Sequence, residues 1–166
     1  MQLTHYNSKF RQKTFPVSLI CDGLTSPYNI GGMFRIGDAF GIEQLYFINS
    51  TQNLGNKYKR TSRSTEKNVS FKVVNNFESV YQDLNSKGYH FLILEITEQS
   101  VPLQSIQLDH DQPVALVVGS ENSGVSDSIL QMIPEHFHIE MYGVNSSMNV
   151  VQSTGLALYE LTNRFK

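Results

Sequence analysis

The sequence predicts an α/β domain built on a mostly parallel sheet with helices on both faces. Short apolar runs rich in branched and aromatic residues recur along the chain, segments of helical period lie between them, and the two kinds alternate.

The first run, 17–21 (VSLIC), is apolar almost throughout, as a strand buried on both faces must be. Cys21, the single cysteine, belongs to it and reads as a buried thiol with no intrachain disulfide partner. Helical period follows in Ile30, Met33, Phe34 and Gly37 and stops before Gly41, a residue suited to the left-handed position after a helix. A second strand is expected at 44–49 (QLYFIN). From Ser50 to Asn68 the sequence reads as irregular, longer than an ordinary connection, and loops of that size often carry function. Phe77, Val80, Tyr81 and Leu84 form the next helical stripe, with Asn76 to cap it and Gly88 to close it. Strands are predicted at 89–96 (YHFLILEI) and 114–118 (VALVV), and Ser126 caps a short helix through Ile133, stopped by Pro134. A strand near 137–141 precedes a last helix marked by Met148, Val151, Gly155, Leu158 and Thr162.

With 166 residues the chain accommodates one domain with a substantial core, so 1–166 is read as a single domain whose residues 1–16 are a short N-terminal extension. It contains no apolar run of about 18 residues and no signal-like start, and a cytoplasmic location is expected. The net charge of -2 conceals an asymmetry. Residues 1–87 carry eleven Lys and Arg against six acids, whereas residues 88–166 carry two against nine. Positive charge gathers in Lys9, Arg11 and Lys13, and again in Lys57, Lys59, Arg60, Arg63 and Lys67, the pattern of a basic face for a polyanion.

Three polar or glycine-bearing segments follow predicted strands, where open α/β sheets bind ligands. The first runs from Thr25 to Arg35, with Asn29 at the opening of the first helix and Arg35 less than two turns on. The second, Gly119-Ser120-Glu121-Asn122-Ser123-Gly124, brackets a carboxylate with two glycines that let backbone approach a ligand; it is neither a P-loop nor a dinucleotide fingerprint. The third, Ile139 to Val151, places four Ser or Asn within 145–149, more than one helix cap requires. No metal site is expected. The histidines at 5, 90 and 110 are scattered, and His136 and His138 alternate along a strand with no further ligand cluster.

These three segments, in this order and spacing, resemble the motifs of the SpoU-like branch of the SPOUT methyltransferase superfamily. The first matches from Asn29 to Gly41, the second from Gly119 to Gly124, and the third from Ile139 to Glu160. The resemblance begins near Val17 and implies a knotted α/β fold with a C-terminal trefoil knot, a homodimer, and no separate RNA-binding domain in this chain. It implies an RNA methyltransferase that moves a methyl group from S-adenosylmethionine to a ribose 2′-hydroxyl of tRNA or rRNA. Catalysis would rest on Asn29, Arg35, Glu121, Ser147 and Asn149, and cofactor binding on Leu94, Gly119, Ile139, Met141, Ser147 and Met148. Lys57, Lys59, Arg60 and Arg63 would contact RNA phosphates, with Tyr58 placed to stack on a base. Gly37 stands where relatives commonly have alanine and is expected to loosen its helix slightly. A guanidinium rarely yields its proton, so Arg35 is read as the charge that stabilises the developing alkoxide, not as the base. The alternative is a noncatalytic RNA-binding or assembly factor that keeps the fold.

Overall fold

The structure, a computed structural model, describes residues 11–50, 54, 56–109, 111–145 and 147–165. His5, Lys9, His110, Ser146 and the first ten residues of the N-terminal extension lie outside the described residues.

Among the described residues seven strands form one parallel sheet: β1 (Phe15–Asp22), β2 (Ile42–Ile48), β3 (Phe71–Val74), β4 (His90–Leu94), β5 (Val101–Pro102), β6 (Val114–Val118) and β7 (His136–His138). Their order is β3-β2-β1-β6-β4-β7-β5. The most apolar runs occupy the middle. β6 is buried at every position, and β1 at all but Pro16, because both faces of a central parallel strand are covered. β3 and β5 escaped the sequence reading for the opposite reason. β3 is an edge strand with Phe71 and Lys72 exposed, and β5 has only two residues, one of them a proline suited to an edge.

Among the described residues five α-helices accompany the sheet: α1 (Pro27–Phe40), α2 (Tyr58–Ser62), α3 (Phe77–Ser86), α4 (Asp127–Met132) and α5 (Val150–Arg164). On one face Ile30, Met33 and Phe34 of α1 and Ala157, Leu158 and Leu161 of α5 pack over Val17, Leu19, Leu116 and Val118. On the other, Phe77, Val80 and Leu84 of α3 and Ile129 of α4 cover Ile20, Ile48, Ile93 and Val117. Alternate residues of each strand therefore feed opposite layers.

Helix ends follow the expected chemistry with one correction, at Ser126. Gly41 takes φ 60° after α1, Gly88 takes φ 79° after α3, and Asn76 caps α3 by accepting from Ser79 N at 3.1 Å. Ser126 stands at the N-cap of α4 but makes no side-chain cap, because its hydroxyl donates to the Asp22 carboxylate instead. Asn29 does not cap α1; Ser26 stands at the N-cap and Pro27 opens the helix, leaving Asn29 in the first turn and only 8% exposed. Gly37 is buried against Ile42, whose Cδ1 would lie 2.8 Å from an added Cβ, so the missing methyl is used for packing. The stretch from Ser50 to Asn68 is not wholly irregular either, since it holds α2 and a 3-10 turn at Thr65–Lys67.

Candidate functional site at the carboxyl edge of the sheet

β1 sends its chain toward β2, while β6, its neighbour on the other side, sends its chain toward β7. Connections leaving in opposite directions open a crevice at the carboxyl ends of the two strands. The crevice is a pocket of about 220 Å³ lined by Gly23 to Ser26, Asn29 and Ser120 to Ser123. Asn149, at the N-cap of α5, closes the arrangement. Its Oδ1 accepts from Val151 N at 3.0 Å, while its Nδ2 donates to Glu121 Oε1 at 2.6 Å and to Asn29 Oδ1 at 3.2 Å. One side chain thus caps a helix and joins all three motif segments.

The loop carrying Glu121 is a tight turn closed on itself by Ser120 N to Gly124 O at 3.2 Å and Gly124 N to Ser120 O at 2.9 Å. Gly119 is required by closeness, because an added Cβ would stand 2.1 Å from the Gly124 carbonyl carbon; Gly124 is required by its φ of 65°. Gly119 thus makes a close approach to its own loop. Two carboxylates at strand ends hold this loop from either side, and sequence reasoning singled out neither. Asp22, buried at the end of β1, accepts from Ser126 N at 2.8 Å, from the Ser126 hydroxyl and from Asn49 Nδ2 at 2.7 Å. Glu95, just after β4, accepts from Val125 N at 3.2 Å and Ile96 N at 2.9 Å. The legible signal was an acid terminating an otherwise apolar strand. Burial, and secondarily the charge of Asp22, pushes the Cys21 thiol up, so it is inert beside the site.

A second, larger cleft of about 470 Å³ lies where β4 and β7 end. Ile96, Ile139, Met141 and Val144 supply apolar walls, and Thr97, Ser100 and His138 supply polar groups. Leu94 is in register with Val118 on one side and Phe137 on the other, so Leu94, Gly119 and Ile139 stand at the ends of three adjacent strands. Ser147 and Met148 are exposed on the loop that returns to α5.

Three of the five expected catalytic residues, Asn29, Glu121 and Asn149, are therefore bonded together. Ser147 and Arg35 are not. Ser147 N donates to Asn145 Oδ1 at 3.4 Å, and Arg35 projects from α1 into solvent with no bond to another described residue. Lys57, Lys59, Arg60 and Arg63 are all exposed around α2. Tyr58 is not available for a base: it is 6% exposed and stacks on Phe34 at 5.3 Å, and burial, with Glu66 nearby, raises its hydroxyl above the ordinary tyrosine range. No group of three or more His, Cys, Asp or Glu side chains suited to a metal occurs among the described residues.

A parallel α/β sheet with a polar crevice at its switch point and an apolar cleft two strands away defines a ligand-binding α/β domain. The sequence profile of the SpoU rRNA Methylase family matches residues 16–159, and the chain belongs to that family. It is 28% identical over 150 residues to a tRNA (guanosine(18)-2′-O)-methyltransferase of Aquifex aeolicus, covering 90% of this chain and 69% of the relative. The crystal structure of the A. aeolicus TrmH/SpoU tRNA modifying enzyme superposes with a TM-score of 0.82 at 25% identity, covering 92% of this chain and 77% of that one. An AdoMet-bound rRNA methyltransferase from Sinorhizobium meliloti shares the fold with a TM-score of 0.82 at 19% identity; the coverage is 94% of this chain and 62% of that one.

Proposed function

We propose that this protein is an S-adenosylmethionine-dependent RNA methyltransferase acting on a ribose 2′-hydroxyl of tRNA or rRNA. The observation that carries the reading is the joining of Asn29, Glu121 and Asn149, one from each family motif, by a single hydrogen-bonded cluster. A merely inherited fold has no need of that polar bridge at the surface, which weighs against a noncatalytic assembly factor.

The cleft beside β4 and β7 suits the cofactor. Its volume falls in the range of small-molecule sites, and its half-buried Ile139 and Met141 offer apolar walls to a nucleoside. Leu94, Gly119, Ile139, Met141, Ser147 and Met148 would hold it. When bound, S-adenosylmethionine supplies a methyl group on a cationic sulfur that departs as a neutral thioether. The chain's own work is to orient the hydroxyl and remove its proton. Glu121, fixed by Asn149, takes that proton; Asn29 sets the position of Asn149, and Ser147 lines the approach from the loop. Arg35 stabilises the developing alkoxide and grips the neighbouring phosphate with its planar fork. Lys57, Lys59, Arg60 and Arg63 neutralise RNA phosphates farther along the strand.

A homodimer belongs to the same proposal. α5 lies against α1 through Gly155 and Ile36, and beyond that contact Leu156 and Tyr159 remain exposed beside Phe40. A second copy covering this face would also bring an Arg35 to a cluster that lacks one. The trefoil knot is supported by the path of β7, which lies between β4 and β5 while α4 before it and α5 after it sit on opposite faces. Among the described residues no helix is long and apolar enough to cross a membrane, and we place the protein in the cytoplasm with its RNA. The deciding experiment maps ribose methylation in RNA from cells with and without the gene, alongside transfer by the purified chain to bulk tRNA and rRNA. Loss of one or more 2′-O-methyl marks is expected; an unchanged map together with no transfer in vitro rejects the reading.

A further inference from the structure

We infer that Tyr28 is a stacking platform for a nucleobase of the bound RNA, on a ridge of α1 that it shares with Arg35 and the seat of α2; the inference rests on the RNA-methyltransferase reading. Residues 28, 31 and 35 are spaced i, i+3 and i+7 and share one face of α1. At the middle of that face sits α2. A Cβ on Gly31 would lie 2.6 Å from Thr61 Cβ and 2.8 Å from both Ser62 N and Tyr58 O, so only glycine lets the two helices meet there. Tyr28 stands one turn before this contact and Arg35 one turn after it, both exposed, and the helix seated at the contact carries the exposed Lys59 and Arg60.

The ring of Tyr28 is 77% exposed, and no other large apolar side chain of α1 is exposed. Its place is nevertheless fixed. It lies inside a regular helix, between Pro27 and an Asn29 whose side chain is tied to Asn149. An exposed aromatic carried on a regular helix that packs against a basic segment fits single-stranded nucleic acid, which takes phosphate neutralisation and ring stacking together. The tyrosine that sequence alone offered for this task, Tyr58, is spent on holding α2 to Phe34. Every base presents a flat π-face, so the contact grips RNA with little regard to base identity.

The test uses the full chain with bulk tRNA and rRNA fragments as probes. The sequence contains no tryptophan, so Tyr28→Trp installs a single tryptophan at the platform, excited selectively over the tyrosines. We expect its emission to be quenched on adding either RNA, with affinity at least that of wild type. Tyr28→Phe should bind as wild type, whereas Tyr28→Ala and Tyr28→Leu should bind about five- to a hundredfold more weakly. For both weak variants KM for RNA rises while kcat, cofactor affinity and sedimentation stay unchanged. The salt slope of binding should also hold, because no charge is lost. Unquenched emission from the Tyr28→Trp variant in an RNA complex overturns the inference, as does wild-type RNA affinity in Tyr28→Ala. Dissociation of a dimer by Tyr28→Ala overturns it in favour of a subunit contact. If the wild-type chain binds cofactor but neither RNA, the methyltransferase reading fails and this inference with it; binding that Tyr28→Ala leaves intact removes only the stacking.

Discussion

Asn149 separates two effects that a single alanine change would merge, because its oxygen serves α5 and its nitrogen serves the cluster. Asn149→Asp keeps the cap acceptor and replaces the donor to Glu121 with a second carboxylate. We expect its denaturation midpoint to stay near wild type while methyl transfer falls at least about tenfold. Asn149→Ala should lose about 1 kcal/mol of stability as well. Arg35 poses a different question, since its side chain makes no bond to another described residue. Arg35→Ala should fold and bind S-adenosylmethionine normally yet lose at least about a hundredfold in turnover, the scale of removing one preorganised donor. Arg35→Lys should rescue little, because it keeps the charge and lacks the fork. Recovery by lysine with a new alkaline rise would make proton removal this residue's task.

At the scale of elements, α2 is where sequence and structure differ most usefully. Its five residues are too few for a periodic pattern, and what fixes it is mainly tertiary, Gly31 beneath it and Phe34 against Tyr58, with the Ser62 hydroxyl bonded to Glu66 just beyond its end. The Ser62–Glu66 bond is local, but Gly31 and Phe34 lie more than twenty positions away and leave no mark in composition. The central strands were legible because double burial demands unbroken apolar runs, and α1 and α3 because a stripe and a glycine stop coincide. Motif order likewise announced Asn29, Glu121 and Asn149, but not that Asn149 would be the hub, nor that Asp22 and Glu95 would hold the loop between them. Hydrogen bonds across 28, 30, 104 and 120 positions leave no mark in spacing. The basic side chains around α2 predict a measurable division of labour. Replacing Arg60 and Arg63 with alanine should weaken RNA binding and flatten its salt dependence while cofactor affinity holds. Equal loss of both affinities would mean that the segment is structural.

For the whole molecule, sedimentation at micromolar concentration should give a dimer. A stable, fully active monomer would remove the need for a second Arg35. Stability should also carry a signature far from the site, at the amino edge of the sheet, where the Tyr89 hydroxyl donates to Glu43 Oε2 at 2.5 Å. Burial first, and then that bond, raise Tyr89 from 10.0 to about 12. A raised folded value means the contribution is complete below the unfolded value and is lost as pH climbs through the folded one. Wild type should therefore lose its advantage over Tyr89→Phe, about 0.5–1.5 kcal/mol at neutral pH, between roughly pH 10 and 12. Denaturant titrations of both proteins across that range give the difference directly.

The sheet order has a further consequence, for how the chain is made. β1 pairs β2, which follows closely, but its other neighbour is β6, with Val17 in register with Val114. At ribosomal rates of about 5–20 residues per second, one long apolar edge of β1 waits roughly 5–20 s for its partner to be synthesised. During that interval any sheet begun by β1–β3 would have as its open side a central strand that the finished fold buries at all but one position. Newborn chains should therefore depend on chaperones that shield β-edges, and a nascent chain stalled before residue 114 should be captured far more strongly than one stalled after residue 118.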